Sequence, residues 1–302
     1  AGFSRLRQPH LIHAAVSSSA PWHAKVDMTE YNDRVGAALA NEAVGGSEQC
    51  QKIVVDGHAK IKGLLESSRL QRMALAKLFN FCNPLALENA QTRRAWAGYG
   101  VVGVPAQSND PASTDPGQSI GALCSVLLAA NTSSVDALAT LSARQRGGRC
   151  VDASLSRNFE DDGSDALSWP WQTCAEFGFY QTCEVGSQCP FARGYVSVAD
   201  EISICSQFGL TPGVVADNVA FSNEIYGGAR PQGSRILFPN GDVDPWTGLG
   251  VLESPAPTEP VMLVVGASHH AWTHPADTIV QKSVADAKAA IQAQVRQWLA
   301  VE

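Results

Sequence analysis

Hydrophobic residues recur at intervals of three and four through much of the first half of the chain. This spacing predicts helices between residues 29 and 80, where Ser47 is suited to cap the helix that begins in "SEQCQK". The apolar face of that helix consists of Cys50, Ile53, Val54, Ile61, Leu64 and Leu65. A second buried helix is predicted for residues 119–130, after a loop at 103–118 that is rich in Pro, Ser and Asp.

Short, uninterrupted apolar runs replace this pattern near both ends of the chain. "LIHAAVSSSA" (11–20) follows what resembles the end of a helix, and it predicts a buried strand and a loop. "RILFPNGDVDPW" (235–246) and "PVMLVVGASHH" (260–270) predict two more strands, each ending in polar residues. A final amphipathic helix is predicted for 276–299. Its apolar side consists of Ile279, Val280, Val284, Ala287, Ile291, Val295 and Trp298.

An acid and a base follow the two C-terminal strands. Asp244 lies in "NGDVDPW" and His269 in "GASHHAW", so each is expected at the carboxyl end of a strand, where α/β sheets bind ligands. A carboxylate that orients an imidazole is two thirds of a serine-hydrolase triad. Taken singly, Asp244 is more typical of a turn before proline and His269 of a surface loop, but the pair on consecutive strand ends favours catalysis. Of the nearest rivals, Asp242 is expected to shape the turn, and His270 to point elsewhere.

Ser119 lies in "GQSIG" (117–121), which fits the G-x-S-x-G pattern of a hydrolase nucleophile. That motif requires a buried strand directly before the serine, followed by a helix. The preceding residues, "SNDPASTDPGQ", include two prolines and two aspartates and are unsuited to a central strand. The sequence therefore predicts that Ser119 lies at the beginning of a helix rather than in an elbow.

Composition narrows the class of protein. The chain has 302 residues, 45 % of them hydrophobic and 17 % charged, which is typical of a globular protein with a sizeable core. The formal net charge is −7 and no basic run occurs, which argues against nucleic acid or an anionic membrane surface as a partner. No apolar stretch reaches about 18 residues, so no membrane-spanning helix is predicted.

Eight cysteines are confined to the middle of the sequence, and none forms a C-x-x-C pair that would indicate a metal site. An even number in one segment favours disulfides and an oxidising compartment, with buried free thiols as the alternative. The spacing alone leaves on the order of 100 connectivities open. Asn131 begins an Asn-Thr-Ser glycosylation sequon, in agreement with a secretory route. The cysteines are Cys50, Cys82, Cys124, Cys150, Cys174, Cys183, Cys189 and Cys205.

Several motifs together resemble the prolyl-specific serine carboxypeptidase family S28. They are "RLRQPHLIHAAVSSSAPW", "WQTCAEFGFYQTCEVGSQCPF", "IYGGARP" and "NGDVDPW…GASHH". The middle motif is most similar to the thymus-specific branch. The resemblance implies an α/β fold, namely the C-terminal part of an α/β-hydrolase with an inserted helical, disulfide-linked cap domain. Residues 1–26 would be a fragment of the hydrolase domain, 27–232 the cap, and 233–302 the part that holds the Asp and the His.

The resemblance also implies roles for single residues. Asp244 and His269 match the acid and base of a Ser-Asp-His exopeptidase that cuts at proline or small residues near a peptide terminus, without a cofactor. Trp246 and Phe179 would line the pocket for the residue before the cut, and Glu176 would meet a substrate amine or hold the cap. The matching nucleophile lies in a G-x-S-Y-x-G elbow shortly before the position of Ala1, so the chain as given is expected to be inactive.

The resemblance implies four disulfides, which join Cys50 to Cys124, Cys82 to Cys150, Cys174 to Cys205 and Cys183 to Cys189. It also implies a lysosomal, endosomal or secreted location. A peptide is the expected partner, and a homodimer is left open. Whether such an enzyme is a carboxypeptidase or a dipeptidyl-peptidase is left open too. Two alternatives stand beside this hypothesis: a non-catalytic binding protein on a hydrolase fold, and an enzyme that uses Ser119.

Overall fold

The computed structural model describes residues 1–153 and 167–300, which form two small parallel sheets among many helices. The strands are β1 (Ala15–Val16), β2 (Lys25–Asp27), β3 (Gly178–Tyr180), β4 (Ile236–Gly241) and β5 (Val261–Val264). The α-helices of the described ranges are α1 (Gly2–Arg7), α2 (Thr29–Ala38), α3 (Glu48–Ser67), α4 (Arg69–Leu78), α5 (Ala90–Gly98), α6 (Ile120–Ala129), α7 (Ser134–Gln145), α8 (Ser168–Gln172), α9 (Val198–Ile202), α10 (Pro212–Tyr226) and α11 (Lys282–Leu299).

Shorter helical turns connect these elements. Tight 3₁₀ turns occur at Glu42–Val44, Ala86–Glu88, Ser203–Phe208, Pro245–Leu249, Ala271–Thr273 and Ala276–Thr278, and a π-helical turn occurs at Thr173–Phe177. None of the helices in the described ranges is both long and apolar enough to cross a membrane.

The larger sheet has the order β1–β4–β5, and both of its strand pairs are parallel. Ala15 of β1 is in register with Ile236 of β4, so two distant parts of the chain meet in one sheet. All six residues of β4 are buried, as expected for a central parallel strand covered on both faces. This places the polar residues that follow β4 and β5 at the same edge of the sheet.

A helical core occupies most of the region between β2 and β3. The buried face of α3 is the predicted one, because Cys50, Val54, Ile61 and Leu65 are fully buried there. Ser47 caps α3 by accepting a hydrogen bond from the Cys50 N–H, as its position in the sequence predicts. The core contains residues of every helix from α2 to α7, so these helices bury one continuous apolar interior.

Four disulfides link residues between positions 50 and 205. They join Cys50 to Cys124, Cys82 to Cys150, Cys174 to Cys205 and Cys183 to Cys189, the same pairs that the family resemblance implies. These four bridges use all eight cysteines of the sequence. Each bridge is expected to stabilise the fold by roughly 2–4 kcal/mol, chiefly by restricting the unfolded chain.

Two predicted elements have different bounds. The strand expected in 11–20 is only two residues long, although the N–H groups of Ser17 and Ser19 still donate to the Leu237 and Pro239 carbonyls before the chain turns at Ser19, where φ is 45°. The last helix begins at Lys282 rather than at residue 276, since Ile279 is extended after a 3₁₀ turn that follows Pro275. Val280 accordingly lies outside the helix and is 64 % exposed.

Candidate active site

Asp244 is placed by the turn that follows β4. Pro245 begins a 3₁₀ turn at Pro245–Leu249, and Asp244 caps it by accepting a hydrogen bond at Oδ1 from the Trp246 N–H at 3.0 Å. The carboxylate is fully buried, with 0 % exposure. A buried carboxylate needs donors for its other oxygen, because an unpaired charge in the interior is costly. The second oxygen is therefore directed at a partner across the sheet edge.

That partner is His269, in the loop after β5. Its Nδ1 lies 2.9 Å from Asp244 Oδ2, and its side chain is 22 % exposed. Because a carboxylate only accepts, Nδ1 holds the proton in this bond, and Nε2 of a neutral imidazole is left as an acceptor. Among the described residues, no hydroxyl forms a hydrogen bond with His269. The pair thus has the geometry of a base and its orienting acid.

The rival acid and base have other partners. Asp242 accepts hydrogen bonds from the Gly266 N–H at 2.6 Å and from Asn41 Nδ2 at 3.2 Å, so it shapes the turn, as predicted. His270 has a left-handed backbone (φ 57°), which directs its Nδ1 to Ser18 Oγ at 3.1 Å. Burial and the neighbouring His269 imidazole lower the pKa of His270, which favours its neutral form.

An aromatic cavity of about 400 Å³ opens beside His269. Trp246 packs edge-on against Phe179, with ring centroids 5.7 Å apart, and Phe179 stacks on Phe177 at 5.6 Å. Trp169 also approaches Trp246 edge-on, with ring centroids 6.2 Å apart. Apolar walls of this kind, with few polar groups, are typical of small-ligand pockets. The structure therefore brings the predicted residues Trp246, Phe179 and His269 to one cavity.

Glu176 is not among the residues that line this cavity. Its carboxylate accepts a hydrogen bond from Gln172 Nε2 at 3.4 Å, and its backbone carbonyl accepts one from Ser222 Oγ at 2.6 Å. In this arrangement Glu176 contacts its own helical segment and α10 rather than the cavity.

Ser119 lies at the beginning of α6. Its Oγ accepts a hydrogen bond from the Ala122 N–H at 3.4 Å, and its side chain is buried. This confirms the predicted helix-capping position. The cavity that Ser119 lines contains neither Asp244 nor His269.

Three polar residues of the site were not singled out from the sequence. Gln107 accepts hydrogen bonds at Oε1 from Tyr31 and Trp246, and Ser18 contacts His270. Burial and the Asp244 charge raise the pKa of Tyr31 to about 12, so its hydroxyl stays a donor. The only sequence signal was that "PAQSND" and "SSSA" are polar stretches next to apolar ones, which is a weak indication.

A second cavity, of about 390 Å³, lies on another side of His269. It is lined mainly by residues 107–111 and by the segment from Ser268 to Val284. His269 and Gln107 line both cavities. No group of three or more His, Cys, Asp or Glu side chains in the described ranges is arranged to hold a metal ion.

Comparison with known proteins identifies the family. The model of the serine carboxypeptidase S28 family matches residues 1–291. The chain belongs to the serine carboxypeptidase S28 family. It is 33 % identical to the thymus-specific serine protease of Mus musculus over 316 aligned positions, which cover 99 % of this chain and 61 % of that protein. The Homo sapiens protein of the same name is also 33 % identical, over 89 % of this chain and 55 % of its own length.

A more distant relative also matches nearly the whole chain. The lysosomal Pro-X carboxypeptidase of Bos taurus is 22 % identical over 99 % of this chain and 60 % of its own length. The S28 chain described here therefore spans about three fifths of the length of these relatives. Its mixture of helices and parallel sheets, with four disulfides, is consistent with the α/β-hydrolase-like fold of an S28 serine peptidase.

Proposed function

We propose that this chain provides the acid and the base of a serine-type exopeptidase that cuts peptides near a terminus, at proline or small residues. The observation that supports this most directly is the 2.9 Å hydrogen bond between His269 Nδ1 and the fully buried Asp244 carboxylate. The serine nucleophile is contributed by sequence outside these 302 residues. As given, the chain binds peptide but does not hydrolyse it.

The chemistry follows from the tautomer. With Nδ1 donating to Asp244, Nε2 of His269 accepts the proton of the serine hydroxyl as it attacks the peptide carbonyl. The buried carboxylate stabilises the imidazolium that forms, and His269 then gives the proton to the leaving amine. No step requires a metal or an organic cofactor.

The aromatic cavity is the proposed pocket for the residue before the cut. Trp246 and Phe179 offer flat apolar faces that suit a proline ring or a small side chain. Residues 27–232 act as a disulfide-linked cap over the sheet, in keeping with the pairing of β1 and β4 on either side of this segment. Glu176 would then hold the cap segment through Gln172.

A secretory route to the lysosome or the cell exterior accompanies this function. Four disulfides are typical of oxidising compartments, and one S28 relative is named as lysosomal. Asn131 is exposed between α6 and α7 and is the proposed glycosylation site.

Labelling with a fluorophosphonate, followed by mass spectrometry of the labelled peptide, tests the proposal. We expect no label on this chain, and we expect a label on an upstream serine in the natural protein recovered at full length. The label should disappear in His269→Ala. A label on Ser119 or Ser18 that depends on His269 would contradict the proposal and make this chain a complete enzyme.

Asp244→Asn sharpens the test in the full-length protein. An Asn oxygen still accepts from the Trp246 N–H, but its amide donates to His269 Nδ1 and forces the proton onto Nε2. Labelling should then slow by roughly 10³–10⁴-fold. Asp242→Asn is the matched control, because Asp242 bonds to Gly266 and Asn41 and not to His269, and it should label at nearly the original rate.

A further inference from the structure

The loop at residues 103–118 lies against the His269 loop and is fixed to it at two points. The His269 N–H donates to the Gln107 carbonyl at 3.1 Å, and Ser268 Oγ donates to the Asn109 carbonyl at 3.1 Å. The Asn109 side chain in turn accepts a hydrogen bond from the Ile120 N–H at 2.9 Å, which ties the loop to α6. Gln107 is therefore held at a set distance from His269 by backbone contacts.

The side chain of Gln107 has a defined orientation. Its Oε1 accepts hydrogen bonds from Tyr31 Oη at 2.6 Å and from Trp246 Nε1 at 3.2 Å. An indole N–H only donates, so the atom facing Trp246 must be the carboxamide oxygen and not its nitrogen. Gln107 Nε2 consequently faces away from Tyr31 and Trp246, and among the described residues it has no hydrogen-bond partner.

The Gln107 carboxamide lies next to the proposed base and the two cavities. Gln107 is exposed, and Gln107 and His269 both line the aromatic cavity and the second cavity, so the Gln107 side chain is accessible beside the proposed base. A peptide that occupied both cavities would pass this point with its backbone. The polar groups within reach of it would be carbonyl oxygens or a terminal carboxylate.

We propose that the Gln107 carboxamide is a substrate-binding group whose Nε2 donates a hydrogen bond to an oxygen of the peptide, either a backbone carbonyl or the C-terminal carboxylate. This inference rests on the proposed peptidase function and names a residue that determines substrate position at that site. Tyr31 is its positioning residue, since the phenol donates to the carboxamide oxygen and Tyr31 lines neither of the two cavities. The group is pre-organised, so little side-chain entropy is lost when the peptide binds.

Equilibrium binding to this chain tests the inference without requiring catalysis. The probes are the tripeptide Ala-Pro-Phe with a free carboxylate and the same tripeptide as its carboxamide, and the readout is the fluorescence of the cavity tryptophans. Gln107→Met removes both the donor and the oxygen that Tyr31 and Trp246 contact, and Gln107→Glu replaces the donor by an acceptor while keeping that oxygen. We expect each variant to bind roughly tenfold more weakly, because one hydrogen bond is lost or reversed.

Gln297→Glu is the matched control. Gln297 also accepts a hydrogen bond at Oε1, from Gln294 Nε2 at 3.2 Å, but it lies on the exposed part of α11 outside both cavities. It should bind both tripeptides as the unmodified chain does. Thermal unfolding of each variant establishes that the fold is retained.

The outcomes separate the two proposals. Equal weakening for both tripeptides identifies a backbone carbonyl as the partner, and weakening for the free acid alone identifies the carboxylate. If both Gln107 variants bind normally while Trp246→Ala binds weakly, the inference is wrong and the proposed peptide site stands. If the unmodified chain binds neither tripeptide at millimolar concentration, the proposed substrate class is wrong, and the role of Gln107 falls with it.

Discussion

His269 and His270 are adjacent in sequence, yet they have opposite surroundings. His269 keeps an ordinary loop backbone and donates to a buried carboxylate, whereas the left-handed backbone of His270 directs its ring to Ser18. The two ring centroids are 3.8 Å apart, so a second positive charge there would be repelled. Burial and the neighbouring His269 lower the pKa of His270, and the Asp244 charge only partly offsets this, so the neutral form of the His270 ring is favoured.

Burial also favours the neutral form of His58, in the helical core, and this makes the stability of the fold sensitive to acid. The side chain is fully buried, donates from Nδ1 to the Val54 carbonyl at 2.8 Å and accepts at Nε2 from the Val101 N–H at 3.1 Å. Burial lowers the pKa of His58 to about 4, well below its value of 6.5 in an unfolded chain. The folded state therefore binds this proton less readily than the unfolded state does.

The consequence is a loss of stability as the pH falls. The contribution of neutral His58 is complete above pH 6.5 and is lost progressively between about pH 6.5 and pH 4, by about 3 kcal/mol in total. His58→Gln offers the same donor and acceptor without titrating. Its free energy of unfolding, measured in denaturant, should fall less steeply over this range than that of the original chain. If the free energy of unfolding of both proteins fell equally steeply with pH, His58 would not be the group that titrates. The control is His10→Gln, because His10 is exposed.

Helix α3 packs closely against α7 at Gly57. A Cβ added at Gly57 would lie 2.4 Å from Leu138 Cδ1 of α7 and 3.1 Å from the Ser134 carbonyl, so glycine is what allows the two helices to pack at this distance. Gly63, on the same helix, has no atom within 4 Å of its added Cβ. The two glycines thus have the same backbone and different neighbours.

Alanine at these positions should have opposite effects. Gly57→Ala overpacks the contact between α3 and α7 and is expected to destabilise the fold by about 1–3 kcal/mol. Gly63→Ala gains helix propensity at an exposed position and should stabilise it by roughly 0.5–1 kcal/mol. Denaturant unfolding of both variants measures the difference. Equal effects would show that α3 and α7 do not approach as closely as described.

Periodicity and local chemistry predicted some elements much better than others. The buried face of α3, its Ser47 cap and the position of Ser119 follow from local rules, and the structure has them. The start of α11 was missed because a 3₁₀ turn after Pro275 interrupts the apolar pattern. Gln107 could not have been found, since its role depends on contacts with Tyr31 and Trp246, which lie far away in sequence.

The covalent links of the molecule are confined to one part of it, and they do not contribute equally. The Cys50–Cys124 bridge spans a sequence separation of 74, whereas Cys183–Cys189 spans only 6. All four sulfurs are buried, so replacing either pair by alanine removes similar contacts. What differs between the two bridges is the entropy that each removes from the unfolded chain, which grows with the length of the closed loop.

Removing the long-range bridge should therefore destabilise the fold more. The chain-entropy relation gives about 4 kcal/mol for Cys50→Ala with Cys124→Ala, and about 2 kcal/mol for Cys183→Ala with Cys189→Ala. Guanidinium unfolding of the two double variants compares them directly. Equal losses would mean that native packing around the sulfurs, and not loop closure, is the source of the stabilisation. A larger loss for the long loop would mean that the Cys50–Cys124 bridge stabilises the fold chiefly by restricting the unfolded chain.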